Sequence, residues 1–121
     1  MIGFINVSNR PSKEWSTTKR TAAEYFGTIV DMVDVADHSF EDSSLDSISK
    51  LASRIMAGSK PSLVLVEGLE PGVQHMLIGM LQQRNVVCCY TTYYTNGDFK
   101  IFKEYGHAPV HIYPGEVPVG E

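Results

Sequence analysis

"SLVLVEG", residues 62–68, is an almost unbroken run of leucine and valine that ends on an acid and a glycine. A strand with one wet face alternates apolar and polar residues. A run that is apolar at every position suits a strand covered on both faces, as in a parallel sheet with helices above and below. Three further runs of strand length surround it: residues 2 to 8, "IVDMVDV" at 29 to 35, and "VVCCYTTYY" from Val86.

The segments between these runs carry helical spacing. From Ser16 to Phe26, Ala22, Ala23 and Phe26 share a face, with Ser16 suited to the N-cap and Gly27 to the stop. From Ser44 to Ala57, Leu45, Ile48, Leu51, Ala52 and Ile55 recur at threes and fours. From Pro71 to Gln83, Val73, Met76, Leu77, Met80 and Leu81 form the cleanest stripe, with Pro71 in the first turn. Strand and helix thus alternate, which predicts right-handed crossovers and a mainly parallel α/β sheet.

Asn96-Gly97 then changes the pattern. Between Cys89–Thr95 and Asp98–Tyr105 it is a two-residue hairpin signal, so "FKIFKEY" returns antiparallel to the fourth strand. The expectation is a single Rossmann-like domain over residues 1–113, with a mainly parallel sheet and a C-terminal antiparallel hairpin. Val110 to Tyr113 would add a short edge strand, and 114–121 would be a flexible tail.

Composition narrows the function classes. With 121 residues and 43% hydrophobic content, the chain suits one domain burying about two-thirds of its unfolded surface. A formal charge of −4 without a Lys/Arg block argues against long nucleic acids, which need many phosphate contacts. No run approaches a membrane span, and Met1 leads straight into a strand, so no membrane partner is expected. Adjacent Cys88 and Cys89 should face opposite sides of a strand and stay reduced, consistent with a cytoplasmic protein. His107 and His111 lie four apart around Pro109 without acidic or thiol companions, so neither a metal nor another cofactor is expected.

Connection rules favour the strand order 2-1-3-4-5, and ligands bind beyond the carboxyl ends of such strands where the order reverses, here between strands one and three. Ser8, Asn9 and Arg10 leave strand one there, ahead of Pro11; Glu67, Gly68, Glu70 and Gly72 leave strand three, followed by Gln74 and His75. Thr91, Thr92 and Tyr93 border the same crevice, and a helix start offers N–H groups to phosphate.

Each residue also has a plainer reading. Ser8-Asn9-Arg10 can be a polar strand exit with an Asx-turn. Gly68 and Gly72 can be turn glycines, in a chain with no G-x-G-x-x-G or Walker pattern. His75 can be a surface residue or a proton-transfer group. Trp15 can pack the first helix on the sheet or stack on a base. Tyr90, Tyr93, Tyr94, Phe99, Phe102 and Tyr105 can pair across the hairpin or form a homodimer interface.

"INVSNRPSKEWSTTKRTAAEYFGTIVD" (5–31) followed by "PSLVLVEG" (61–68) and the hairpin resembles small stand-alone CRISPR-associated proteins of the CARF type. The likeness rests on an asparagine and proline at the strand exit, a W-S helix start and a G-x-I-V-D second strand, and covers all but the tail. It implies a homodimer that binds a cyclic oligonucleotide second messenger, commonly cyclic oligoadenylate, across the two-fold axis. Such proteins sense the ligand, sequester it as sponges of a nucleotide immune signal, or cleave it as metal-independent ring nucleases in antiviral defence.

Carried over, the ligand-facing residues are Ser8, Asn9, Arg10, Gly68 and Gln74. Arg10 stands where histidine is commoner, and Lys19 where a glutamine would complete a capping box. Cleavage would use attack by the ligand's own 2′-hydroxyl, held in line. Arg10 would then neutralise phosphate charge and His75 would be the nearby candidate for proton transfer, these two forming the catalytic set. The binding set is Ser8, Asn9, Arg10, Glu67, Gly68, Gln74, Thr91 and Thr92. A protein-interaction module built on the aromatic hairpin is the competing reading.

Overall fold

The computed structural model describes residues 2–32, 45–57 and 60–106. Strand β1 (Ile2–Val7) leads through a short 3-10 turn (Ser12–Glu14) into helix α1 (Thr17–Glu24) and strand β2 (Thr28–Asp31). Helix α2 (Leu45–Ile55), strand β3 (Leu63–Val66), helix α3 (Pro71–Gln83) and the hairpin β4 (Cys88–Tyr93) with β5 (Phe99–Glu104) follow. The sheet order is β2-β1-β3-β4-β5, the one the connection rules favour. Its first four strands run parallel, with Phe4 beside Leu63 and Val64 beside Cys88; β5 is antiparallel to β4.

The chain steps one way from β1 to β2 and the other way from β2 to β3 and on to β4. Crossovers of one hand then place α1 on one face and the other two helices on the opposite face. The buried side chains follow that division. Ile5, Val7, Val64, Val66 and Cys88 cluster with Ile48, Leu51, Ala52 and Ile55 of α2 and with Val73, Leu77 and Leu81 of α3. Phe4, Leu63, Leu65 and Cys89 cluster instead with Trp15 and Ala23. All four residues of β3 are buried, so both faces of this central strand contribute, at about 1.5–3 kcal/mol for each large apolar side chain.

Ser16 caps α1, its Oγ accepting from the Lys19 N–H at 3.2 Å, and the helix ends two residues short of Phe26. The turn after it presses on β1: a Cβ on Gly3 would stand 1.7 Å from the Phe26 carbonyl oxygen, so only glycine fits. Gly27, at φ +127°, then turns the chain into β2.

The hairpin differs from the expected two-residue form. Tyr94 N–H donates to the Asp98 carbonyl and Gly97 N–H to the Tyr94 carbonyl, leaving a three-residue loop, 95–97. A type I′ turn needs two residues at positive φ; here Gly97 is left-handed and Asn96 is not. The expected Val110–Tyr113 strand, the two histidines at 107 and 111, the tail and the end of the second strand past Met32 lie outside the described residues. Among the described residues, no helix is long and apolar enough to cross a membrane.

Cys88 and Cys89 are free and buried on opposite faces, as their adjacency predicts. Burial, with Glu104 nearby, pushes the Cys88 thiol up to about 12. Burial raises Cys89 as well.

Candidate functional site

The polar exit of β1 ties three segments together. Asn6 is fully buried, and β1–β2 pairing sets it beside Asp31. Its Nδ2 donates to Asp31 Oδ1 at 2.7 Å and to the Arg10 carbonyl at 2.8 Å, while its Oδ1 accepts from the Ser8 hydroxyl at 2.6 Å. The Asp31 carboxylate also takes the Ser12 N–H at 3.0 Å and the Ser12 hydroxyl at 2.9 Å. Arg20 completes the frame by donating to the Ser12 and Lys13 carbonyls. Ser8 is thus buried and engaged within the protein, a role the strand-exit reading anticipates.

The β1 and β3 exits meet at the expected reversal of strand order. Gly68, at φ +75°, lies so close to Asn9 that an added Cβ would approach its Oδ1 to 2.9 Å. Glu67 Oε1 accepts from the Thr91 N–H at 2.7 Å. Gln74 turns inward: Oε1 accepts from Leu69 N–H and Nε2 donates to the Tyr105 hydroxyl, which itself donates to the Val66 carbonyl at 2.8 Å. Burial, with Glu67 adding, raises the Tyr105 phenol to about 12.

The start of α3 is not open to phosphate as its sequence suggests. The Glu70 carboxylate takes the Gly72 and Val73 N–H groups at 3.0 Å each, Pro71 has none, and Gln74 N–H bonds the Glu70 carbonyl. Those two backbone bonds, Gly72 first, hold the Glu70 carboxyl below its ordinary value. His75 is exposed on the same helix. Thr92 Oγ1 sits against the backbone of Ile101 on the hairpin.

A cavity of about 550 Å³ opens on the α1 side, between the segment Arg10–Lys19 and the hairpin. Arg10, Glu14, Trp15, Ser16, Thr18 and Lys19 form one wall; Tyr93, Tyr94, Gly97, Asp98 and Phe99 form the other. Of the sequence-derived binding set, Arg10 lines it; Ser8, Asn9, Gly68, Gln74, Thr91 and Thr92 do not, nor does His75. Glu67 reaches it indirectly, 4.0 Å from the Lys19 ammonium.

Lys19 is the unusual group. It is 5% exposed, its Nζ lies 4.4 Å from the Trp15 ring centroid and 5.7 Å from that of Tyr93, and among the described residues the one hydrogen bond of its ammonium, to the Tyr93 hydroxyl, is 3.4 Å long. An ammonium carries three donors, and burying them with so few acceptors is costly. Trp15 Nε1 and Thr91 Oγ1 are likewise buried without a partner among the described residues. The Arg10 side chain is exposed and makes no hydrogen bond or ion pair among the described residues.

Trp15 packs edge-on against Phe4 at 6.0 Å, as the packing reading has it, and also lines the cavity. Lys19 escaped the sequence reading as a site residue, yet it left a signal. Trp15, just ahead of α1, and Lys19 and Ala23 within it recur at intervals of four and are all buried, a stripe where a lysine is out of place.

A second hollow of about 460 Å³ is bordered by Ser12, Arg20, Gly27 and Ile29, but Arg20 there is engaged by carbonyls. Among the described residues no group of three His, Cys, Asp or Glu is placed to hold a metal. Comparisons with protein-family models, curated proteins and solved structures give no significant match. The site's own chemistry is two cations, Arg10 and Lys19, and two acids, Glu14 and Asp98, among four aromatic side chains, and the cations beside rings suit an anion joined to a flat ring.

Proposed function

We propose that this protein binds a small nucleotide, with a cyclic oligonucleotide such as cyclic oligoadenylate as the ligand class, in the cavity between Arg10–Lys19 and the hairpin. Lys19 carries the reading: a buried ammonium with one long hydrogen bond among the described residues gains most from an incoming anionic oxygen. Arg10 supplies a second cation, and Trp15, Tyr93 and Tyr94 supply ring faces for a base. The cavity lies to the α1 side of the β1–β3 reversal of strand order, and Arg10, at the exit of β1, is the residue the two places share. The CARF-like N-terminal pattern favours a cyclic ligand over other nucleotides.

A ring of several nucleotides exceeds one cavity of this size, so the proposal includes a homodimer whose copies share the ligand, acting in the cytoplasm. Binding is favoured over cleavage. His75, the only histidine among the described residues, does not line the cavity, and a sensor or sponge needs no proton-transfer group.

The test is incubation with a panel of cyclic oligonucleotides, without metal, followed by mass spectrometry of free and heat-released ligand. Intact ligand recovered in stoichiometric amount is expected. Linear products ending in a 2′,3′-cyclic phosphate would replace this reading with a ring nuclease. No bound ligand would leave the exposed aromatic residues Tyr93 and Tyr94 as a protein-interaction surface instead.

A further inference from the structure

We infer that the unit read by each cavity is a single nucleotide, with one phosphate seated between Lys19 and Arg10 and one base against the tyrosines of the hairpin. This deepens the reading above and rests on it. About 550 Å³ is the size of a site for one drug-sized molecule, which a mononucleotide is. Both cations come from the β1–α1 side, with Trp15 and Glu14, and Tyr93, Tyr94 and Phe99 come from the hairpin with Asp98, so the cations face a wall of three rings. One phosphate and one base satisfy both at once.

The remaining charges fit that orientation. Asp98 on the hairpin rim is tied into its own turn, its carboxylate accepting from Asn96 Nδ2 at 3.1 Å and its N–H donating to Asn96 Oδ1. The Glu14 side chain has no hydrogen bond or ion pair among the described residues and stands on the rim as an acceptor for a sugar hydroxyl or a base amine. The phosphate's entry competes with a weak set of polar contacts, a 4.0 Å approach of Lys19 to Glu67 and a 3.4 Å bond to Tyr93, and leaves the ammonium beside the Trp15 ring.

Trp15 is the only tryptophan in the chain and lines the cavity, so its emission reports occupancy directly. The experiment titrates the purified protein with AMP, adenosine and inorganic phosphate in separate series. AMP is expected to change Trp15 emission saturably, at concentrations about tenfold or more below those adenosine or phosphate require. Lys19→Met keeps the aliphatic stem and should weaken AMP by about tenfold or more while leaving adenosine unchanged. Arg10→Ala alters an exposed side chain and should weaken AMP in the same direction, which keeps the test intact if Lys19→Met does not fold. AMP binding no tighter than adenosine or phosphate, or AMP affinity unchanged in the folded variants, overturns the inference. If cyclic oligonucleotides bind and AMP does not, the single-nucleotide unit fails alone; if neither binds, the broader reading fails with it.

Discussion

Asn6 sits at an interior strand position where the pattern of neighbours calls for an apolar side chain, and it is fully buried. Both its donors and its acceptor are used, by Asp31, the Arg10 carbonyl and Ser8. Truncation would strand these partners, and a buried group left unpaired costs about 1–3 kcal/mol. Asn6→Ala should therefore lower the unfolding free energy by about 2 kcal/mol, read from the midpoint of urea denaturation at unchanged slope. A loss below about 0.5 kcal/mol, typical of surface changes, would remove Asn6 from its place as the link between loop and sheet. The sequence located the polar exit at Ser8–Arg10 correctly as a structural break. It could not pair Asn6 with Asp31, because residues so far apart become neighbours only once strand order and register are both known.

At the scale of the element, α3 has a start that was half legible. Pro71 and the apolar stripe mark the helix and its first turn, and its bounds fall where the spacing puts them. Its cap did not stand out, since Glu70 is longer than the usual Ser, Thr, Asp or Asn and nothing in the sequence distinguishes it from a solvated acid. Its carboxyl titrates below the ordinary glutamate value in the folded state, so folding favours the ionised form. The stability it contributes is present above the unfolded value and is lost as pH falls through the folded one. Glu70→Gln should thus have a lower Tm than the parent at neutral pH, with the gap closing as pH drops below 4.5. Thermal unfolding of both proteins across that range checks it, and a gap independent of pH would contradict the capping role. The hairpin was misread for a related reason: Asn-Gly serves a two-residue loop and a three-residue loop ending on left-handed Gly97 equally well.

Across the whole molecule, alternation of strand and helix plus the rules of connection were enough to give the sheet order. The division of Cys88 and Cys89 between two faces followed from their adjacency. Both thiols are buried and their ionisation is suppressed, so neither should react with iodoacetamide in the native protein at mildly alkaline pH. Both should react once denaturant opens the sheet, and mass spectrometry of the alkylated chain counts them. Rapid labelling of one thiol under native conditions would mean that its helical layer lifts separately. The cavity was the least legible feature, because its walls come from the two ends of the described chain and its central cation hides in a buried helical stripe.

The Glu70 carboxylate gives the mouth of the sheet a sign. A group tethered one bond-length series from the donors it binds competes at a high effective concentration, so a free anion at the α3 start must displace a resident one. On the α1 side an arriving anion meets Arg10 and Lys19. The same edge of the sheet therefore has its helix-start donors already occupied over one helix and holds cations over another, so a single acidic side chain biases where along that edge an anion finds unoccupied donors.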